Sequence, residues 1–185
     1  MNIVDQLQHV RAKSLELCRP LSTEDYVVQT SPDVSPAKWH LAHTSWFFET
    51  FLLKPYSPGY RSPNPRFSEL FNSYYNTVGP QFARPHRGTL SRPTVDEVVA
   101  YRTVVTEAMV NLLQLASHNK MEEIQRRTTL GIHHEQQHQE LMLTDLKHCF
   151  GHNPLLPAYR PGVTLPKSTV RTKAWVHFDG GLIEQ

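Results

Sequence analysis

Two histidines in the second half of the chain have the spacing of metal ligands on a helix. His134 and His138 are four residues apart, which places them on one helix face, about 6 Å apart along the axis. The same face continues through Leu130, Leu141 and Asp145, so it is predicted to face the protein interior. Two adjacent buried imidazoles are costly unless something coordinates them. The pair therefore predicts a metal site.

A third ligand is predicted in an apolar segment far upstream. His43 lies among Trp39, Trp46 and Phe47 in the sequence AKWHLAHTSWFFETFLL, and His40 is a competing candidate three residues before it. We rank His43 first because it lies deeper in the apolar segment. Three imidazoles from two helices leave coordination positions open, as in catalytic sites. Neutral imidazole suits Fe, Zn, Cu and Ni alike, so the ligands alone do not separate Fe(II) from Zn(II).

The same residues also match a protease pattern. His134-Glu135-Gln136-Gln137-His138 fits H-E-x-x-H, in which the glutamate is the general base of a zinc protease. Such a protease needs a third ligand downstream, whereas residues 139–143 read QELML and no second metal-facing helix follows. A pattern this short arises by chance, so we set the protease interpretation aside.

Four helices are predicted to position these side chains, and the first two lie in the first third of the chain. Apolar residues at three- and four-residue steps predict a helix over about residues 2–19, which Pro20 ends. The second helix is predicted to have Ser35 as its N-cap and Pro36 as its first residue. It is predicted to stop before Pro55.

The third and fourth helices follow a long connection. A capping box of Thr94 and Glu97 predicts the start of a helix that runs to about residue 118. The fourth helix is predicted over about residues 120–150, with Gly151 as its stop. Four helices with a long second connection favour an all-α four-helix bundle, a fold that builds metal sites from side chains on facing helices.

The second connection, from about Lys54 to Pro93, is rich in proline and has no helical period. Disordered linkers are poor in aromatic residues, and this segment is not, so we predict an ordered loop packed over one end of the bundle. Long loops in compact domains are often functional. Its aromatic and basic residues are Phe67, Phe71, Tyr74, Tyr75, Phe82, Arg84, Arg87 and Arg92.

The remaining sequence limits the class of protein. After Asn153 the helical pattern stops, which predicts a helical domain over residues 1–155 and an arm over 156–185 that begins a β-strand at Lys173–Phe178. A net charge of +2 without a basic run argues against nucleic-acid binding. No apolar stretch approaches the roughly 20 residues that cross a membrane. Two unpatterned cysteines and the lack of a signal sequence predict a cytoplasmic protein.

Three long segments, in order along the chain, carry a resemblance to a known family. They are SPAKWHLAHTSWFFETFLL, FNSYYNTVGPQFARPHRGTLSRPTVDEVVAYR and HHEQQHQELMLTDLKH. Together they resemble the amino-terminal DinB-like domain of the ergothioneine-biosynthesis sulfoxide synthases (hercynine oxygenases). These are non-haem iron enzymes whose family includes ovothiol and selenoneine synthases. The resemblance covers roughly residues 1–155.

The resemblance implies a cofactor and a reaction. It implies that Fe(II) is held by His43, His134 and His138, the trio reached above from spacing, with Zn or Ni as alternatives in the isolated protein. It also implies O2-dependent joining of a thiol, cysteine or γ-glutamylcysteine, to the imidazole of hercynine, with oxidation of the sulfur to a sulfoxide. The sequence does not decide between the two thiols, or between ergothioneine and ovothiol or selenoneine chemistry.

The resemblance also implies substrate-binding residues. Gln137 matches a family residue that lies near the substrate imidazole. Arg84, Arg87 and Arg92 lie in the loop that receives the carboxylates of the thiol substrate, a task that suits the planar guanidinium.

Members of that family continue into a larger second domain that resembles formylglycine-generating enzymes and provides the catalytic tyrosine. Residues 174–181 (AWVHFDGG) resemble the first strand of that domain. The resemblance therefore implies a fragment or truncated relative, incomplete as an enzyme alone, and we assign no catalytic residue within the chain. Two alternatives stay open: a stand-alone DinB-like metal-dependent thiol transferase, and a non-catalytic metal-binding bundle.

Overall fold

Four long helices carry the fold in the computed structural model, which describes residues 1–163 and 174–182. Helix α2 packs against both α3 and α4, and α1 packs mainly against α4. The described residues form helices and turns and no strand, so the all-α class is confirmed. The bounds of the four helices are α1 Ile3–Cys18, α2 Ala37–Phe48, α3 Val95–Leu115 and α4 His118–His152.

Local capping explains where two of the helices begin. The Asn2 side chain accepts a hydrogen bond from the Asp5 backbone N–H at 2.9 Å, at the start of α1. At α3, the Thr94 hydroxyl accepts from the Glu97 N–H and the Glu97 carboxylate accepts from the Thr94 N–H. These bonds satisfy N–H groups that have no partner within the helix. The predicted capping box is confirmed.

The ends of α2 differ from the prediction. Its N-cap is Pro36 rather than Ser35, and the Ser35 hydroxyl, which was predicted to cap the helix, instead accepts a hydrogen bond from the Arg87 guanidinium at 2.9 Å. At the other end the prediction of a stop before Pro55 is wrong. A π-helical turn at Glu49–Leu53 follows α2, and helical structure continues through Lys54–Tyr56.

A substitute donor accounts for the helical proline. Proline has no N–H, so it leaves the carbonyl four residues earlier without its helical partner. Here that carbonyl belongs to Phe51, and it accepts a hydrogen bond from the Arg127 guanidinium of α4 at 3.4 Å.

The prediction that Gly151 stops the fourth helix is also wrong. Helix α4 continues through Gly151 to His152, and Asn153 is its C-cap. A glycine ends a helix when it adopts a positive φ. The described glycines with positive φ are Gly59, Gly79 and Gly162.

Another glycine of α4 lets two helices approach closely. A Cβ atom added at Gly131 would lie 2.5 Å from Phe48 Cε1 and 3.2 Å from Phe47 Cε1. No real Cβ approaches another atom so closely, so α2 packs against α4 at a point where only glycine fits. This contact brings the histidine-bearing segments of the two helices together.

The long connection is ordered and lies along α2. It contains a short helix at Phe67–Leu70 and a 3-10 helix at Arg84–Thr89. The indole N–H groups of Trp39 and Trp46 donate to loop carbonyls, those of Leu70 and Ser68. The loop is therefore attached to the same helix that carries His43.

The carboxyl-terminal arm has no regular structure in the parts that are described. Residues 174–178 form no strand, and Lys173, where the strand was predicted to begin, lies outside the described residues. Trp175 and Phe178 are exposed. Among the described helices, none has the length and apolar character needed to span a lipid bilayer.

Candidate metal centre

Three imidazoles from two helices converge at one point in the protein. His43 comes from α2, and His134 and His138 come from α4. One ring nitrogen of each lies within 4.8 Å of those of the other two, a group that can hold a metal ion. The ring centroids of His134 and His138 are 4.5 Å apart, and those of His43 and His138 are 4.6 Å apart. The structure thus brings together the three residues that the sequence singled out.

Aromatic stacking and a loop carbonyl orient the His43 ring. Trp39 stacks on it at a centroid distance of 4.5 Å, and Trp46 at 5.3 Å. Its Nδ1 lies 2.6 Å from the Phe71 carbonyl oxygen. A carbonyl only accepts hydrogen bonds, so Nδ1 carries the proton and Nε2 keeps its lone pair for an ion.

The His134 ring has an unused nitrogen. Phe47 stacks on the ring at 4.4 Å, and Nδ1 is buried with no hydrogen-bond partner among the described residues. A buried polar atom without a partner calls for an explanation such as an ion. The donor set, three neutral imidazoles, fits Fe(II), Zn(II) or Ni(II).

The environment keeps these imidazoles uncharged. Burial, and then the proximity of His134, lowers the pKa of His43 well below its usual range. Burial, followed by the neighbouring histidines, also lowers the pKa of His138 far below its usual range. Burial lowers the pKa of His134 to about 4. All three are therefore neutral at pH 7, the form of histidine that binds metals.

His40 lies beside the trio but outside it. Its Nδ1 is 2.9 Å from His138 Nδ1, and its Nε2 is 3.0 Å from the Asp145 carboxylate. Both ring nitrogens are thus engaged, which leaves none for a metal ion. The ranking of His43 over His40 agrees with this geometry.

Glu135 points away from the histidines into a buried ionic cluster. Its carboxylate pairs with Arg11 of α1 at 3.0 Å and with Arg102 of α3 at 2.7 Å, and it accepts from the Ser14 hydroxyl at 2.6 Å. Burial alone would raise the pKa of Glu135, but the two arginines and the hydrogen bonds lower it to about 2. Held in this way, Glu135 is not placed to act as the base of a zinc protease.

A cavity of about 390 Å³ adjoins the three histidines. This volume falls in the range of small-molecule sites. Leu141 lies at its wall, and Gln137 contributes to it from an exposed position on α4. The other lining residues include Trp39, Tyr74, Tyr75, Arg84, Arg87 and Asp145.

Arg87 is the cationic residue held most firmly at this cavity. Only 4% of it is exposed, and its guanidinium carbon lies 3.4 Å from the centre of the Trp39 ring. Its Nη atoms donate to the hydroxyls of Ser35 and Ser73, while Nε is buried without a partner among the described residues. Burial, and then Arg84, lowers the pKa of Arg87 to about 10, so it is charged at neutral pH.

The other two arginines of the loop differ in position. Arg84 lines the same cavity and donates to the Tyr74 hydroxyl at 3.0 Å. Arg92 instead lines a separate cavity with Glu97 and Tyr101. The Lys38 ammonium of α2 donates to the Leu90 and Pro93 carbonyls, which holds this end of the loop at the start of α3. The structure therefore does not bring Arg92 to the histidines.

Two features of the site were missed or misjudged from the sequence. The sequence indicates that Asp145 belongs to the inward face of its helix and that His40 is a competing ligand. It does not predict the contact between these two residues. The available signal was that His40 lies three residues before His43 on α2, and Asp145 lies seven residues after His138 on α4. Leu130 and Leu141 were predicted to face inward and are 57% and 40% exposed. Helix α2 meets α4 at Gly131, next to Leu130, and Leu141 lies at the wall of the cavity.

Comparison with known protein families identifies a similarity over most of the chain. A family model described as the DinB superfamily matches residues 6–142, a range that includes most of α1, all of α2 and α3, the first part of α4 and all three histidines of the candidate site. No curated protein matches the chain.

Proposed function

The chain belongs to the DinB superfamily, and on that premise we propose that it is the iron-binding domain of a non-haem Fe(II), O2-dependent sulfoxide synthase. The proposed reaction joins cysteine or γ-glutamylcysteine to the imidazole of hercynine, as in ergothioneine biosynthesis. We also propose that the four helices form a DinB-like four-helix bundle and that the protein is cytoplasmic.

One observation carries the proposal: three neutral, largely buried imidazoles lie at the wall of a cavity that two arginines also line. Three protein ligands leave positions for other molecules on an ion held there. The cavity is large enough for small polar substrates. The three sequence segments described above, which surround this cavity, supply the resemblance to the sulfoxide synthases.

Residues of this chain would bind the thiol substrate through its carboxylates. Arg87 is fixed by Ser35, Ser73 and the Trp39 ring, so little conformational entropy is lost when it pairs with an anion. Its buried Nε–H has no partner among the described residues, so it is a further donor for a carboxylate oxygen of the substrate. Arg84 lies at the same cavity and adds a second positive charge. Gln137 is proposed to donate to, or accept from, the imidazole of hercynine.

The proposed reaction balances without a further reductant. One imidazole C–H and one thiol S–H are lost, one C–S bond and one S–O bond form, and O2 supplies the sulfoxide oxygen and one water. The thiol and imidazole together give up four electrons, which reduce O2. A ferrous ion held by the three histidines would supply the reactivity toward O2, and Zn(II) would not, because it has no redox chemistry. We propose that turnover also needs the larger second domain that the resemblance implies.

Metal loading tests the site. We expect the protein, reconstituted with Fe(II) under anaerobic conditions and desalted, to retain close to one iron per chain. His43→Ala, His134→Ala and His138→Ala should each lose most of it, whereas His133→Ala, an exposed histidine of the same helix, should not. Equal iron retention by the wild type and all four variants would refute the site.

Oxygen uptake separates the proposed reaction from its alternatives. With hercynine and a thiol, the iron-loaded chain supplied with the second domain should consume O2 and release a sulfoxide product. Thiol consumption by residues 1–185 without O2 uptake, and best with Zn or Ni, would instead favour a thiol transferase. Metal binding with neither activity would favour a non-catalytic metal-binding bundle.

A further inference from the structure

A continuous series of hydrogen bonds runs from the backbone of the loop before α2 to one of the proposed ligands. The Asp145 Oδ2 accepts from the Ser35 backbone N–H at 2.8 Å and lies 3.0 Å from His40 Nε2. The other nitrogen of His40, Nδ1, lies 2.9 Å from His138 Nδ1. Both His40 and Asp145 are buried, so water does not compete freely for these contacts.

The chemistry of each atom fixes where the protons lie. An ionised carboxylate only accepts hydrogen bonds, so His40 Nε2 must carry a proton and donate it to Asp145. Neutral His40 then has a lone pair on Nδ1. For the contact with His138 to be a hydrogen bond, His138 Nδ1 must carry a proton and donate it. His138 Nε2 is consequently left with its lone pair.

We propose that Asp145 and His40 are positioning residues that hold His138 in the tautomer whose Nε2 is free to bind the metal. The inference rests on the proposed metal site, but not on the sulfoxide synthase reaction. His43 is held in the same tautomer more directly, because its Nδ1–H donates to the Phe71 carbonyl oxygen. Two of the three proposed ligands are therefore preset with Nδ1 protonated, one by a backbone carbonyl and one by an Asp–His pair. Metal-binding histidines commonly need such a partner on the second nitrogen.

This role differs from that of a fourth ligand. A ligand needs a free ring nitrogen facing the ion, and both nitrogens of His40 are engaged. His40 is also outside the group whose ligand atoms lie close enough to share an ion. It acts on the metal only through His138.

The first test measures the tautomer itself in the metal-free protein. Long-range 1H–15N NMR spectra of the histidine rings distinguish protonated Nδ1 from protonated Nε2. We expect His138 to be protonated at Nδ1 in the wild type and to move toward the Nε2-protonated form in His40→Phe. His40→Gln, whose amide oxygen can accept from His138 and whose amide N–H can donate to Asp145, should restore the wild-type tautomer.

The second test measures Zn(II) affinity by competition with a chelator. We expect His40→Phe to weaken Zn(II) binding by about 10- to 100-fold and His40→Gln to recover much of that loss. His133→Phe, on the exposed side of α4, is the matched control and should bind as the wild type does. If circular dichroism shows that His40→Phe is unfolded, Asp145→Ala replaces it, because it leaves His40 in place and removes its acceptor, which is also the acceptor of the Ser35 backbone N–H.

The outcomes are distinct. An unchanged His138 tautomer in a folded His40→Phe or Asp145→Ala protein would overturn the proposal. So would complete loss of Zn(II) binding equal to that of His43→Ala, since this would make His40 a ligand. A wild-type protein that binds no Zn(II) or Fe(II) would refute the metal site of the proposed function, and the tautomer measurement on the metal-free protein would still decide the role of His40.

Discussion

Adjacent residues of α4 face opposite environments. Successive residues of an α-helix are separated by about 100° around the axis, so His134 can face the imidazoles while Glu135 faces Arg11 and Arg102. The buried carboxylate ties α4 to α1 and α3. Its function is thus to hold the helix that carries two of the three histidines.

Replacement of Glu135 by Gln should destabilise the protein strongly. Gln keeps the shape of the side chain but leaves two buried guanidinium groups without a counter-charge. Removal of one partner from a buried ion pair typically costs about 3–5 kcal/mol, and we expect a loss of that order in the free energy of unfolding. Urea unfolding of the metal-free protein measures it.

Glu123 of the same helix provides a matched control. It also pairs with two arginines, Arg126 and Arg127, but its side chain is 36% exposed. Exposed pairs contribute little, so Glu123→Gln should leave the urea midpoint almost unchanged. Equal midpoint shifts for the two variants would contradict the view that burial makes the Glu135 cluster important.

The sequence predicted the three clustered histidines better than their surroundings. Spacing identified His134 and His138, and an apolar context identified His43, because both signals are local. The pairing of His40 with Asp145 depends on how α2 and α4 face each other, which no local pattern states. The prediction that Arg92 lies at the site failed for the same reason. The loop end that carries Arg92 is held by Lys38, which lies far from it in the sequence.

At the scale of the elements, the closest approach of α2 to α4 depends on Gly131. Alanine favours a helix over glycine by roughly 1 kcal/mol, so Gly131→Ala would be stabilising on propensity alone. The added methyl would meet the Phe48 ring at 2.5 Å, and Phe48 is fully buried. Overpacking of a well-packed core costs about 1–3 kcal/mol. We therefore expect a net loss of unfolding free energy, measured by urea unfolding.

Gly151 is the control for this substitution. It lies in α4 with an ordinary helical φ, and a Cβ added there would meet nothing within 4 Å. Gly151→Ala should therefore be neutral or slightly stabilising. If Gly131→Ala were as stable as Gly151→Ala, the two helices would not be in the tight contact described above.

The elements themselves were predictable where their signals are local. Thr94 and Glu97 predict the start of α3, and they form the two hydrogen bonds of a capping box. The path past Pro55 was not predictable, because the carbonyl freed by the proline is satisfied by Arg127, which lies on another helix. Local rules place a helix stop at that proline, and a tertiary hydrogen bond removes the need for one.

Considered as a whole, the molecule keeps four imidazoles uncharged at the meeting of α2 and α4. Burial is the largest cause that lowers the pKa values of His40, His43, His134 and His138. The second connection completes this environment with the Phe71 carbonyl and Arg87. Such an arrangement prepares neutral ligands, but it makes the metal-free protein sensitive to acid.

The direction of that sensitivity follows from proton binding. In the unfolded chain these histidines take up protons near pH 6.5, whereas in the folded protein they stay neutral to lower pH, as for His134 with its pKa of about 4. The unfolded state therefore binds more protons, and stability is complete above pH 6.5 and falls as the pH drops toward 4. At pH 5.5 an imidazole that is still neutral in the folded protein, as His134 is, contributes a loss of about 1.4 kcal/mol.

We therefore expect the unfolding free energy of the metal-free protein to fall by roughly 4–5 kcal/mol between pH 7.5 and 5.5, mostly through His43, His134 and His138. The measurement is urea unfolding at pH 7.5, 6.5 and 5.5 in the presence of a chelator. Glu135 does not contribute to this change in unfolding free energy, because its lowered pKa affects stability only at more acidic pH. His40→Phe removes one of the four groups and should make the fall shallower. A free energy that stays constant or rises on acidification would mean that these histidines take up protons in the folded protein at least as readily as in the unfolded chain, which would contradict the neutral site.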